Sequence, residues 1–257
     1  MSVIDFIVPQ WPVSSRVRAV STPRSGGVSA SPYDTLNLGE HVGDEVDAVT
    51  ENRRRLCEQL GIEEEPYWLN QVHGAHVVRA GADGEYPRAD AAIADEPNRA
   101  CVVMTADCLP VLLARTDGTR VAAAHCGWRG LAGGVLEATI VALATPPRQL
   151  AAWLGPAIGP EHFEVGPEVR DAFMRIDPAA VTAFRANARG RWMCDLYRLA
   201  QQHLNRAGVD AIFGGGRCTF EESSAFFSFR RDGRCGRMAT LVWIEYGIEG
   251  ASARRWI

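Results

Sequence analysis

Three residues whose side chains bind metals or attack electrophiles sit at breaks between apolar runs. His73 lies in "NQVHG", Cys108 in "TADCLPVLL" and His125 at the end of "RVAAAHC". Cys108 stands between Asp107 and Pro110, and a proline that cannot donate to a sheet ladder places it at a strand terminus or bulge. His125 closes a strand just before the turn "CGWRG" opens a helix, which is where α/β folds hold ligands. Two imidazoles and a thiol with an open fourth position describe a catalytic zinc site. The same residues also describe a cysteine hydrolase, with Cys108 as nucleophile and His125 as base. Packing is the third reading, since most free cysteines are simply buried. Arg129 and the amides of residues 129 to 131 read as an anion cradle at the helix start, or Arg129 as one half of a surface ion pair.

The other donors are weaker. His41 lies in a Gly-rich loop from which it can reach a pocket, His76 faces solvent across the turn from His73, and His162 and His203 read as surface or helix residues. Cys126 should point to the sheet face opposite His125. Cys57, Cys101, Cys194, Cys218 and Cys235 are assigned to packing. Seven cysteines with no CxxC argue against a disulfide framework in a chain of this size.

The elements that must position these residues follow from periodicity and turn chemistry. "DEVDAVTENRRRLCEQLG" predicts a helix with Asp44 as N-cap, Gly61 as the stop, and Val49, Leu56 and Leu60 facing the core. "PYWLNQVHG" and "HVVRA" predict a strand pair around Gly74. "ADAAIAD", "ACVVMTAD", "LPVLLAR" and "RVAAAHC" predict four strands, the last two joined by the turn "TDGT". These strands are apolar throughout, so both sheet faces should be covered. "WRGLAGGVLEATIVAL" predicts one helix and "LAAWLGP" a further strand, with helices over 168–175 and 195–207 and a long closing strand near the end. The expected fold is an α/β (α+β) single-domain sandwich over residues 1–257, with a mixed sheet and flanking helices.

The chain has 257 residues, 47% hydrophobic and 23% charged, with a net charge of -4. That balance gives no support for a nucleic-acid surface. No apolar run approaches the roughly 20 residues that span a bilayer. "MSVIDFIVPQWPVSS" lacks the basic region of a secretory signal, so a cytoplasmic location is expected.

Many separate motifs occur in one order: "GGVSASPYDTLNLGEHVGDE", "WLNQVHG", "ADAAIA", "TADCLPVLL", "AAHCGWRGLAGGV", "LGPAIGP", "FEVG", "CTF" and "FFSFRRDGRCGRMATLVW". Together they resemble the bacterial laccase-domain family, once described as multicopper polyphenol oxidases and now as purine nucleoside phosphorylases. The resemblance implies zinc held by His73, Cys108 and His125. It implies phosphorolysis of adenosine, inosine, guanosine and methylthioadenosine, with adenosine deamination. Asp107 is then a proton carrier, a partner of a ligand or a turn cap. Arg24, Ser29, Asn37, His41, Gln71 and Arg231 become pocket residues, and Phe227 or Phe226 a platform for the purine. The family also includes a peptidoglycan editing factor, so an amide hydrolase acting on a peptidoglycan precursor is the alternative, and the sheet arrangement resembles cysteine-hydrolase toxins. Copper survives only as the older cofactor assignment, because multicopper oxidation needs several histidine-rich centres and this chain has six histidines. A monomer is expected.

Overall fold

Strands that are apolar on both faces need two covers, and the chain supplies them by stacking sheets. The computed structural model describes residues 3–81 and 86–245. A three-stranded antiparallel sheet runs in the order β1 (Val17–Ser21), β12 (Met238–Ile244), β4 (Cys101–Thr105). A mixed six-stranded sheet runs in the order β11 (Ala211–Gly214), β7 (Leu150–Leu154), β5 (Leu109–Arg115), β6 (Val121–Cys126), β3 (Ala91–Ala94), β2 (Val77–Arg79). Val17, Ala19, Val103 and Val242 from the first sheet meet Ala92, Leu112, Ala123 and Trp153 from the second.

Helices close the outer faces. Helix α1 (Val46–Leu60) buries Leu56 and Leu60 with Val102, Met104, Leu241 and Trp243 of the three-stranded sheet. Helices α3 (Val135–Ala142), α4 (Pro167–Ile176) and α5 (Leu196–Arg206) pack with Leu109, Val111, Ala122 and Ala124 on the other side of the six-stranded sheet. The result is a helix–sheet–sheet–helix sandwich, as the double burial of the strands requires. A small sheet of β8 (Glu164–Val165), β10 (Trp192–Cys194) and β9 (Phe184–Ala186) extends the helical side. Two short helices, α2 (Trp128–Ala132) and α6 (Phe229–Asp232), border the site described below. Among the described residues no helix is long and apolar enough to cross a membrane.

Three local expectations change. Asp44 is not the cap of α1; Glu45 is, and the Asp44 carboxylate accepts from the Glu45 amide and from Asn37 Nδ2. The single helix expected after residue 127 is two, because Gly133 and Gly134 interrupt it and Gly134 has φ 86°. The segment before Gly74 does not pair with "HVVRA". It makes only isolated bridges at Tyr67 and Asn70, and β2 pairs in parallel with β3. The reason is a side chain: Asp90 takes the amides of Val72, His73 and Gly74, the donors that a hairpin would have used.

Candidate metal and catalytic centre

The register of β5 against β6 builds the site. Leu109 pairs with Cys126 and Pro110 with His125, so Cys108 emerges one step beyond the ladder. His73 arrives on the turn before β2. One ligand atom from each of His73, Cys108 and His125 lies within 4.8 Å of the others. The two imidazole rings stand 4.8 Å apart at 78° to each other. His125 is buried, Cys108 half-buried and His73 exposed, so the set opens to solvent on one side.

Gly127 makes the close approach feasible. A Cβ there would stand 3.0 Å from Cys108 Sγ, 3.1 Å from the His73 ring and 3.7 Å from the His125 ring. The absence of a side chain leaves the space in which the three donor groups converge.

Asp90 organises the donors from behind. It is fully buried, and its Oδ1 lies 2.8 Å from His125 Nδ1. The same carboxylate accepts from the amides of Val72 at 3.2 Å, His73 at 2.9 Å and Gly74 at 2.7 Å. One group therefore fixes the His125 ring and the turn that carries His73. A carboxylate this buried costs several kcal/mol unless it is paired, roughly speaking, and here four donors satisfy it. Burial works to raise its pKa, but the His125 hydrogen bond and the backbone amides outweigh burial and hold the carboxyl below its ordinary value.

Electrostatics prepare the sulfur. Burial works to raise the Cys108 thiol, and the adjacent His125 and His73 overcome it, so the thiol titrates well below the ordinary range. Burial works to lower His125, and the neighbouring Cys108 sulfur and Asp90 overcome it in the other direction. A thiol driven towards thiolate beside two imidazoles is a donor set for a divalent cation that favours nitrogen and sulfur.

Two backbone positions beside the donors lie in the left-handed region, His73 at φ 60° and Asp107 at φ 98°. Such conformations cost about 1–3 kcal/mol each and persist only when the surroundings impose them. At His73 the Asp90 hydrogen bond does so. At Asp107 the carboxylate accepts from Thr219 Oγ1 and from the Arg230 amide, both at 2.6 Å, and its carbonyl accepts from the Ile158 amide at 2.9 Å. Asp107 therefore ties the start of α6 to the Cys108 segment.

Arg129 is exposed and lies 4.6 Å over the Trp128 ring. Among the described residues no carboxylate lies within ion-pair distance of it, so the surface-pair reading lapses and its guanidinium is available to an anion. The expected cradle is smaller than three amides, because the Leu131 amide is spent on the Gly127 carbonyl.

The residues expected to line a pocket are largely engaged elsewhere. Arg24 donates to the Asp34 and Ser223 carbonyls and covers the Phe227 ring at 4.7 Å. Phe227 and Phe226 are fully buried, so neither ring face is open to a purine in this arrangement. Ser29 is buried and accepts from Asn52. Asn37 is buried and bridges Gly39, Asp44 and the Arg237 amide. Gln71 clamps the backbone of Met104 through both ends of its amide. Arg231 donates to the carbonyls of Thr219, Phe220 and Phe226. His41 is exposed beside Gly39, and burial of its ring edge, with Arg237 and Arg53 nearby, lowers its pKa. Cys126 faces the helical side with Ala122 and Ala124, away from the donors, as alternation predicts, and burial pushes its thiol far up.

Sequence reading overlooked Asp90 and Gly127. The signal for Asp90 was present: an acid at the head of the alanine-rich run "ADAAIA" has to be paired once that run is buried as a strand. Gly127 carried only the general mark of a turn.

Residues 18–245 match the family described as multi-copper polyphenol oxidoreductase laccase. The chain belongs to this laccase family. Among its relatives, a Pseudomonas aeruginosa protein named purine nucleoside phosphorylase PA4543 is 55% identical over 241 residues, covering 93% of this chain and 98% of that one. Purine nucleoside phosphorylase YfiH of Escherichia coli is 52% identical over 240 residues, with the same coverage. The crystal structure of Neisseria meningitidis protein NMB0706 superposes with a TM-score of 0.91 at 50% identity, covering 94% of this chain and 100% of that one. YlmD from Geobacillus stearothermophilus superposes at 0.85 with 32% identity, covering 90% and 93%. The laccase-family match spans the turns of all three donors, Asp90 and Gly127.

Proposed function

We propose that the protein is a zinc-dependent purine nucleoside phosphorylase that acts in the cytoplasm on adenosine, inosine, guanosine and methylthioadenosine, and that it also deaminates adenosine. The observation that supports this best is the convergence of His73, Cys108 and His125 over Gly127, in a chain more than half identical to proteins named purine nucleoside phosphorylase. Bound there, zinc would supply a Lewis acid able to orient a phosphate or polarise a water.

The chain's own residues do the rest. Asp90 holds His125 by Nδ1, so the other ring nitrogen is the one that would hold the cation, and Asp90 also fixes the turn of His73. Cys108 enters as thiolate. Arg129, braced on Trp128 and with no carboxylate partner among the described residues, neutralises a phosphate placed against the ribose carbon. Asp107 positions the segment that carries Cys108 and has both carboxylate oxygens occupied in doing so.

The test is to incubate the purified protein with adenosine, with and without phosphate, and identify products by mass spectrometry. Adenine with ribose 1-phosphate only when phosphate is present supports phosphorolysis. Inosine in both tubes supports deamination. No turnover in either rejects the nucleoside reading.

A second reading has its own geometric support. Cys108, His125 and Asp90 form a thiol–imidazole–carboxylate chain, the arrangement of a cysteine hydrolase. Consumption of a peptidoglycan precursor by metal-stripped protein would favour it.

A further inference from the structure

A second cluster of metal-binding side chains lies apart from the first. One ligand atom from each of His162, Cys218 and Glu221 lies within 4.8 Å of the others. They line a pocket of about 140 Å³ with Gly159, Pro160 and Tyr197. Read along the chain, Cys218 belonged to packing and His162 to the surface. The fold joins them because Ala157 bridges to Cys218 and the Thr219 amide donates to the Ala157 carbonyl at 3.0 Å, laying the two loops side by side.

The cluster is held in place by its neighbours. The His162 ring stacks on Phe220, with centroids 4.4 Å apart and planes at 14°. His162 Nε2 lies 2.8 Å from Glu221 Oε1. The Gly159 amide donates to Cys218 Sγ at 3.2 Å, which fixes the sulfur's position, and a Cβ at 159 would stand 3.0 Å from that sulfur. Arg231 grips the carbonyls of Thr219 and Phe220, which fixes the turn between Cys218 and Glu221. Arg217, the cation in the pocket lining, is engaged by Glu222.

We propose that His162, Cys218 and Glu221 form a second site for a divalent cation of the zinc class. Thiolate and imidazole select against magnesium and calcium, which take oxygen ligands. The charges of one thiolate and one carboxylate balance a divalent ion, and the pocket leaves the fourth position open. Coordination uses the deprotonated thiol and imidazole, and any proton displaced passes to solvent through the open side of the pocket. The site is tied to the first. Ile158, beside Gly159, donates its amide to the Asp107 carbonyl, and Thr219, beside Cys218, donates its hydroxyl to the Asp107 carboxylate. A cation here braces the segment that carries Cys108.

Cobalt(II) titration of Cys108→Ser, which removes the thiolate of the first site, reads the second through thiolate-to-cobalt charge-transfer absorption. The expected result is one equivalent of that signal, lost in the Cys108→Ser/Cys218→Ser double variant and in Cys108→Ser/His162→Ala. No signal in Cys108→Ser at saturating cobalt overturns the proposal, and so does a signal that survives unchanged in Cys108→Ser/Cys218→Ser. Circular dichroism checks that each variant is folded. Should Cys108→Ser not fold, wild type and Cys218→Ser give the same answer. Two equivalents falling to one support the second site, and one equivalent in both overturns it.

Discussion

The donor centre and the N-terminal loop over residues 24–41 both carry clustered polar side chains, yet they use them in opposite ways. In the loop, side chains are spent on the loop itself. Asn52 of α1 reaches the Val28 amide, Ser29 Oγ and the carbonyls of Thr35 and Asn37, while Asn37 and Arg24 close further turns. At the centre the spending is done one layer back, by Asp90 and Asp107, and the atoms of His73, Cys108 and His125 are left facing a common point. Polar density alone does not mark a site. A site is marked by polar groups that the fold turns towards one another and away from its own backbone.

That contrast can be broken by substitution. Cys108→Ser should have the largest effect: turnover falls to background while circular dichroism keeps its folded signature, and a variant that retains turnover would remove the centre from the chemistry. Next is Asp90→Asn, which keeps the shape but weakens the grip on His125. Loss of an orienting partner of this kind costs about 10–100-fold in metal affinity or activity, readable by competition with a chromogenic chelator. Arg129→Ala should raise KM for phosphate about tenfold, the worth of one charge-assisted hydrogen bond, and leave phosphate-free deamination unchanged. Asn37→Ala should have the smallest effect on chemistry. Losing its buried hydrogen bonds costs about 2 kcal/mol, a fall in Tm of about 4–8 °C in a chain of this size. Its kcat/KM should stay within about twofold of wild type. A large fall in kcat without a fall in Tm would place Asn37 in the pocket after all and erase the distinction between the regions.

Much of the frame was legible along the chain. Local signals sufficed for α1 with its stop at Gly61, for the β5–β6 hairpin with Asp117 and Gly118 in its turn, and for β7, α4, α5 and β12. Continuous apolar strands correctly demanded cover on both faces. The partition into two sheets was not legible, because β4 pairs with β12 from the far end of the chain and no local periodicity encodes that choice. The hairpin expected at Gly74 failed for a related reason: the competing acceptor, Asp90, is a side chain that arrives from the residue just before β3. His73, Cys108 and His125 were singled out by residue type at breaks in apolar runs. Arg24, Asn37 and Gln71 carry the same types in the same kind of loop, and only their hydrogen bonds show how they are used.

The most direct test of the central claim joins metal to turnover at the donor centre. Protein stripped of metal by a chelator is titrated with zinc, and phosphate-dependent release of adenine from adenosine is followed against zinc bound, in wild type and in Cys108→Ser. The account predicts no release from stripped protein, recovery in wild type as the centre fills, and no recovery in Cys108→Ser. Full phosphate-dependent release from stripped wild-type protein would contradict it and leave the Cys108–His125–Asp90 chain to act without a metal.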